Sequence, residues 1–140
     1  MLLHHIGMLA KDLRAEAERL RGVCGYEIVS GEIEDSVQTA KVMFLKLPQT
    51  DSFLELAAPL GENSKLARAL KTGEKLHHLC FQTDDISADL KNFREKGFLI
   101  LCEPVAAAAF KDRKIAWVMD SQKNLFELVE SGSGELPLKV

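Results

Sequence analysis

The feature that most constrains the fold of this chain is an internal repeat. Three segments of the first half match three of the second half, in the same order and at a shift of 72 or 73 residues: Leu3–Gly7 with Leu76–Cys80, Lys41–Leu45 with Lys114–Val118, and Phe53–Leu56 with Leu125–Leu128. One match of this length arises easily by chance, but an ordered series at nearly one offset is typical of a duplicated module. The sequence therefore predicts two copies of one structural unit.

A helix near the start of each half is marked by a cap and an apolar stripe. Asp12 and Asp85 are suitable N-caps, because a carboxylate there accepts hydrogen bonds from free backbone N–H groups. Apolar residues then recur at helical spacing, which predicts one buried face for each helix. The two stripes are Leu13, Ala17 and Leu20, then Ile86, Leu90 and Phe93. Gly22 and Gly97 are the predicted ends.

Around these helices, each half has four runs of apolar, β-branched and aromatic residues that predict strands. The predicted strands are 3–9, 26–33, 40–47 and 52–57 in the first half, and 76–82, 98–103, 113–119 and 124–130 in the second. A further helix at 65–71 connects the halves. The order is βαβββ twice, so we expect an α+β fold whose strands curve around a shared cavity, with the helices outside. We expect one domain at 1–131, with modules at 1–60 and 74–131, and a flexible C-terminal tail at 132–140.

Composition excludes several classes of function. The chain has 140 residues, and its formal net charge of −3 lacks the basic footprint of a nucleic-acid-binding protein. No apolar run approaches the roughly 20 residues that a membrane span needs. The N-terminal segment also lacks the basic start and cleavage site of a signal peptide. Only three cysteines are present, an odd number without a disulfide framework, so we expect a reducing cytoplasm.

Four polar residues within the apolar strands are related by the repeat. His5 corresponds to His78 and Glu55 to Glu127, and the His-to-Glu spacings are 50 and 49 residues. A two-fold relation between the modules would bring all four together. Two imidazoles and two carboxylates suit a divalent ion such as Zn, Ni, Co or Mn. Taken singly, each histidine could instead be a core residue and each glutamate a solvated one, but the paired positions favour the metal site.

The neighbouring histidines, His4 and His77, are the alternative ligands. On regular strands their side chains point away from those of His5 and His78. We therefore interpret them as packing or surface residues.

Three segments resemble the vicinal-oxygen-chelate (glyoxalase/bleomycin-resistance/dioxygenase) superfamily. They are Leu3–Gly7 followed by Lys11–Leu13, the stretch 53–86 (FLELAAPLGENSKLARALKTGEKLHHLCFQTDDI), and the last strand Leu125–Glu130. The middle stretch is similar to methylmalonyl-CoA epimerases in particular. The resemblance implies a glyoxalase-like fold with an incompletely closed sheet around a central metal cavity, and a homodimer. It also implies that His5, Glu55, His78 and Glu127 are the metal ligands.

Two segments depart from the epimerase pattern. Epimerases usually carry a catalytic acid in a Glu-Gln-Gly-Val segment, where this chain has Val37-Gln38-Thr39. The nearest acids, Glu34 and Asp35, lie slightly earlier. The second departure is that 105–111, Val-Ala-Ala-Ala-Ala-Phe-Lys, replaces a Gly-Ala-His-Gly-Lys segment. Both differences bear on the substrate and leave the metal ligands unchanged.

The implied activity is metal-assisted abstraction of a proton α to a thioester carbonyl, with Glu127 and Glu55 as the acid/base pair. The alternatives are isomerisation of a hemithioacetal, as in lactoylglutathione lyases, and non-catalytic binding of a small molecule. A dioxygenase is less favoured, because those sites use two histidines and one carboxylate. Gln82 and Cys80 share a predicted strand face with His78, and we predict Gln82 as a substrate contact and Cys80 as packing. Within the basic cluster of Lys111, Arg113 and Lys114, the first two are predicted anchors for an anionic substrate.

Overall fold

The computed structural model describes residues 1–132 and has an α+β fold, as predicted. The order of elements is β1 (Leu2–Leu9), α1 (Leu13–Cys24), β2 (Glu27–Ile28), β3 (Ile33–Asp35), β4 (Ala40–Lys46), β5 (Phe53–Pro59), α2 (Leu66–Lys71), β6 (Leu76–Thr83), α3 (Ile86–Glu95), β7 (Leu99–Ala106), a short 3₁₀ helix (Ala108–Phe110), β8 (Lys114–Met119) and β9 (Leu125–Glu130). Except for Gly132, the predicted tail lies outside the described residues. The predicted division into modules at 1–60 and 74–131 stays a prediction.

The strands form one curved sheet of nine strands that is not closed into a barrel, in the order β2-β4-β5-β1-β6-β9-β8-β7, with β3 also paired to β4. At its centre, β1 and β6 are antiparallel. Each of these two strands is flanked by the last strand of its own half in parallel orientation, β5 beside β1 and β9 beside β6. The two halves of the sheet therefore mirror each other's strand order, as the sequence repeat predicts.

Both long helices begin where their caps predict. A side-chain oxygen of Asp12 accepts a hydrogen bond from the N–H of Ala15 at 2.9 Å, and Asp85 does the same for Ala88. The end of α1 differs from the prediction: the helix passes through Gly22 and ends at Cys24. Gly25 then takes the left-handed conformation, with φ 78°. Gly25 is the better stop because a residue without a Cβ adopts that conformation without strain.

One predicted strand, 26–33, is interrupted. Its two parts, β2 and β3, pair with opposite ends of β4. Between them the hydroxyl of Ser30 accepts a hydrogen bond from the N–H of Phe44 at 2.8 Å. The side chain thus takes the place of a backbone carbonyl, and the ladder breaks without leaving the buried N–H unsatisfied.

The two faces of the sheet have different roles. On the convex face, α1 packs against Leu54 and Leu56, and α3 packs against Ala116, Val118 and Leu128. Because alternate residues of a strand face opposite sides, the residues between these core positions point into the concave face. In the part of the chain that the structure describes, no helix is long and apolar enough to cross a membrane.

Candidate metal centre

Side chains from the four central strands meet on the concave face. His5 lies on β1, Glu55 on β5, His78 on β6 and Glu127 on β9, and one donor atom of each lies within 4.8 Å of the others. All four are buried, with exposed fractions between 0 and 6%. The convergence that the repeat predicts is therefore present, although the equivalent residues of the two halves are 72 or 73 positions apart in sequence.

The strand register explains how each side chain reaches the centre. Gly7 of β1 is level with Glu55 of β5, and Cys80 of β6 is level with Glu127 of β9. These two pairs are equivalent by the repeat. Each glutamate stands between two residues that pack on the convex side, so its carboxylate points to the concave side.

The donor atoms are spaced as neighbouring ligands of one ion would be. Nε2 of His5 and Nε2 of His78 are 2.9 Å apart. The carboxylate oxygens lie 3.2 to 3.6 Å from these nitrogens. For ligands roughly 2.1 Å from one ion, donors at 90° or at a tetrahedral angle stand about 3.0 or 3.4 Å apart. The four residues therefore fit a divalent ion, and a cation would also offset the cost of burying two carboxylates.

Space for His78 depends on Gly7, which is its cross-strand neighbour. A Cβ atom at position 7 would lie 2.1 Å from Cε1 and 2.3 Å from Nδ1 of the His78 ring. The equivalent neighbour of His5 is Cys80, which is fully buried. Burial in these apolar surroundings, followed by the nearby glutamates, raises the pKa of the Cys80 thiol, so the thiol is neutral.

His4 and His77 do not point away from the site as regular strands would require. Nδ1 of His4 lies 2.8 Å from Nδ1 of His5, and Nδ1 of His77 lies 2.9 Å from Nδ1 of His78. His4 is buried against the rings of Phe53 and Phe110. The prediction that these residues pack is correct for His4, but its reason is wrong, because both strands depart from regular register here.

The two glutamates differ in their electrostatic surroundings. Burial raises the pKa of Glu55 to about 8, with His78 opposing the shift and Glu127 adding to it. Burial also acts on Glu127, but hydrogen bonds from His5 and His78 outweigh it and lower the pKa of Glu127 to about 2. Burial disfavours the charged imidazole of His77 and lowers its pKa to about 4, so this ring is neutral.

Three of the four residues, Glu55, His78 and Glu127, line a cavity of about 350 Å³, whereas His5 is fully buried. Its exposed walls are mainly apolar, although Gln38, Lys65 and His77 also line it. The apolar residues are Ala40, Val42, Ala57, Leu66, Leu101, Ala107, Ala109, Phe110, Trp117 and Leu125. Asp35 also lines this cavity, whereas Glu34 is exposed. In the sequence comparison Asp35 lay slightly earlier than the segment in which epimerases carry their acid, and its burial could not be read from that position.

Asp35 is held by two backbone groups. One carboxylate oxygen accepts a hydrogen bond from the N–H of Gln38 at 3.0 Å, and the other accepts one from the N–H of Ala108 at 3.1 Å. The carboxylate therefore ties the turn after β3 to the 3₁₀ helix of the second half. The side chain of Gln38 adds a second link, because it accepts a hydrogen bond from Nε1 of Trp117 at 3.0 Å.

The predicted substrate contacts lie elsewhere. Gln82 and Arg113 line a separate depression with Leu2, Leu3, His4, Asp51 and Phe53. Lys111 is exposed and follows the 3₁₀ helix, with φ 54°. Gln82 follows His78 by four residues, which is about 13 Å along a strand, so sharing a face with His78 does not place it beside the four converging residues. The role of these three residues in binding substrate stays a prediction.

The fold and the site define a class of protein. Residues 4–117 match the family model of the Glyoxalase/Bleomycin resistance protein/Dioxygenase superfamily, and the chain belongs to this family. The resemblance inferred from the sequence is thereby confirmed.

Similar proteins within the superfamily are epimerases. The chain is 33% identical to the ethylmalonyl-CoA/methylmalonyl-CoA epimerase of Cereibacter sphaeroides over 71% of its own length and 73% of that protein. A variant of the Streptomyces coelicolor methylmalonyl-CoA epimerase in complex with 2-nitronate-propionyl-CoA superposes with a TM-score of 0.83 at 32% identity, covering 98% of this chain and 99% of that one. A methylmalonyl-CoA epimerase in complex with methylmalonyl-CoA and NH4+ gives 0.82 at 32% identity, covering 97% and 98%.

Proposed function

We propose that this protein is a metal-dependent epimerase that abstracts the proton α to the thioester carbonyl of a methylmalonyl-CoA-like substrate. The observation that carries the proposal is the convergence of two imidazoles and two carboxylates at one apolar cavity. The similarity to epimerases whose structures contain acyl-CoA ligands gives the substrate class.

His5, Glu55, His78 and Glu127 would hold the divalent ion, for which Zn, Ni, Co and Mn are all suitable. When bound, such an ion supplies a Lewis acid for the carbonyl oxygen. The largely apolar walls exclude water, which strengthens electrostatic interactions at the reacting carbon. Because these interactions are strong, the proton transfers depend on where the carboxylates lie relative to that carbon.

The proton transfers are assigned to Glu127 and Glu55. These residues come from β9 and β5, strands that are equivalent in the two halves, so their carboxylates reach the centre from opposite sides of the β1–β6 pair. Epimerisation needs one carboxylate to take the α-proton from one face of the carbon and a protonated group to return a proton to the other face. In the metal-free site the pKa of Glu55 is raised and that of Glu127 is lowered, so the two carboxyls differ in their affinity for a proton.

Asp35 is the competing acid/base candidate. It lines the cavity and lies two residues before Val37, the position at which epimerases usually carry their acid. Both of its oxygens accept backbone hydrogen bonds, from Gln38 and Ala108, which makes a positioning role for the 3₁₀ helix the simpler interpretation.

The test is exchange of the α-proton of methylmalonyl-CoA in heavy water, followed by NMR or mass spectrometry, with protein loaded separately with Zn, Ni, Co and Mn. We expect exchange with at least one metal and none after the metal is removed by a chelator. Glu62→Gln, a change at an exposed glutamate, is the matched control for substitutions in the site. Exchange with hemithioacetals alone would favour a lactoylglutathione lyase activity, and no exchange with either class would favour a binding protein.

The assembly and location are also proposals. We propose a homodimer on the basis of the family resemblance, to be tested by light scattering after size-exclusion chromatography. We propose a cytoplasmic location because Cys24, Cys80 and Cys102 are all free thiols in the structure. A monomer in solution, or a secreted protein, would contradict these two statements.

A further inference from the structure

Two β-bulges lie at equivalent places on the central strands. In the β1–β6 ladder, Leu3 pairs with Phe81 and His5 with Cys80, so His4 is an extra residue on β1. Further along, Gly7 pairs with His78 and Met8 with Leu76, so His77 is the extra residue on β6. Each bulge therefore falls on the histidine that precedes a converging histidine. Bulges re-aim side chains, and they are over-represented beside active sites.

The effect of both bulges is the same contact. The Nδ1 atoms of His4 and His5 are 2.8 Å apart, and those of His77 and His78 are 2.9 Å apart. The rings of each pair meet edge to face, at 83° and 89°. Adjacent residues on a regular strand point to opposite faces, so neither contact would form without its bulge. The repeat has kept both the irregularity and the contact in each half.

Which nitrogen donates in each of these hydrogen bonds follows from the role of Nε2 in His5 and His78. Nε2 of His5 and Nε2 of His78 face each other and the two carboxylates. If Nε2 is to bind a metal it must offer its lone pair, so in a neutral ring the proton lies on Nδ1. Nδ1–H then donates, and Nδ1 of the preceding histidine accepts.

We propose that His4 and His77 are positioning residues for the metal centre, each accepting a hydrogen bond from Nδ1–H of the following histidine and so fixing its tautomer and ring orientation. The inference rests on the metal site proposed above. Partners of this kind are usually carboxylates, backbone carbonyls or waters, and their loss typically weakens metal binding 10- to 100-fold. In this protein neighbouring imidazoles supply the acceptors.

Matched substitutions separate this role from packing. Asparagine and leucine have nearly the same shape, but only asparagine offers an acceptor oxygen near the position of Nδ1. We therefore compare His77→Asn with His77→Leu, and His4→Asn with His4→Leu. Both members of a pair lose the same ring contacts, with Trp117 in one case and with Phe53 and Phe110 in the other. Only the leucine variants also lose the acceptor.

The readout is the dissociation constant for Co²⁺ or Zn²⁺, measured by chelator competition, with the melting temperature of the metal-free protein as the measure of folding. The proposal predicts that each leucine variant binds metal 10- to 100-fold more weakly than its asparagine partner, while both members of each pair are folded and unfold in a cooperative transition without metal. Equal metal affinities for the two members of each pair would overturn it.

A second measurement reads the tautomers directly. Long-range ¹H–¹⁵N NMR of the Zn²⁺-bound protein, labelled in its four histidines, reports which ring nitrogen carries the proton. The expected result is protonated Nδ1 on His5 and His78 and unprotonated Nδ1 on His4 and His77. Bound Zn²⁺ with protonated Nδ1 on His4 and His77 would overturn the positioning role alone. A wild-type protein that binds no Zn²⁺ would overturn the proposed metal-dependent function together with this inference.

Discussion

Glu55 and Glu127 hold equivalent positions in the repeat, but their surroundings differ. One oxygen of Glu127 lies 3.3 Å from His5 and 3.2 Å from His78, whereas the nearest oxygens of Glu55 lie 3.5 and 3.6 Å from the same nitrogens. Glu127 therefore receives more of the stabilisation that the imidazoles offer to a charged carboxylate, and Glu55 bears more of the cost of burial. In the metal-free site the pKa of Glu55 is therefore raised and that of Glu127 is lowered, although the two residues are equivalent in the repeat.

Replacing Glu55 by glutamine tests its part in proton transfer. Glutamine can still bind a metal through its oxygen but cannot serve as a base. We expect Glu55→Gln to retain metal, measured by elemental analysis, and to lose α-proton exchange by a factor on the order of 10²–10⁴. Exchange at the wild-type rate would show that Glu55 does not transfer the proton. Asp35 would then be the next candidate, to be tested with Asp35→Asn.

Metal binding should depend on pH because of Glu55. With its pKa at about 8 in the metal-free site, this carboxyl keeps its proton at pH 7 and must release it when a metal binds. Its ionised fraction rises with pH, so affinity should rise as well, by about tenfold between pH 7 and 9. Glu127, with its pKa at about 2, is ionised throughout this range and adds nothing. Titration calorimetry in two buffers should detect release of about one proton at pH 7, and Glu55→Gln should abolish this pH dependence. An affinity that does not change between pH 7 and 9 would refute the assignment.

At the scale of elements, the helices and most strands were predictable, but the irregularities that shape the site were not. α1 and α3 were predictable because an N-cap and an apolar stripe are formed by residues that are close together in sequence. The bulges at His4 and His77 have no such signature, since one extra residue in a ladder depends on how two distant strands pair. The break at Ser30 likewise depends on Phe44, fourteen residues away in sequence.

The β1–β6 pair predicts a strict requirement for glycine at position 7. The Cβ atom of an alanine there would lie 2.1 Å from Cε1 of the His78 ring. Gly7→Ala must therefore displace the imidazole of His78, which is one of the proposed metal ligands. We expect metal affinity to fall at least tenfold, the scale of a misdirected ligand, with a loss of about 1–3 kcal/mol in the free energy of unfolding from overpacking. Chelator competition and chemical denaturation measure the two effects.

The control is Gly22→Ala. A Cβ atom at Gly22 meets nothing within 4 Å, and the residue lies inside α1. This change should leave metal affinity unaltered and increase stability by up to about 1 kcal/mol, because alanine favours a helix. If Gly7→Ala behaved like this control, the His78 ring would not occupy the position described.

At the scale of the whole molecule, the sequence located the four converging residues because duplication places equivalent residues around one axis. Residues that have no equivalent polar residue in the other half were harder to place. Asp35 reaches the cavity through contacts with the other half, at Ala108. Gln82 and Arg113 lie beside a different depression, because alternation along a strand gives the face of a residue but not its position along the sheet.

The same architecture predicts how a metal affects unfolding. Each half contributes one histidine and one glutamate to the site, so neither half retains the full ligand set if the other unfolds. Metal should therefore stabilise the chain as one unit, by about 2.7 kcal/mol when its free concentration is 100 times the dissociation constant. Calorimetry should show a single transition that moves to higher temperature with metal and returns with a chelator. His78→Ala, which lacks one ligand, should respond much less. Two separate transitions, with only one sensitive to metal, would show that the halves fold independently and that the site does not join them.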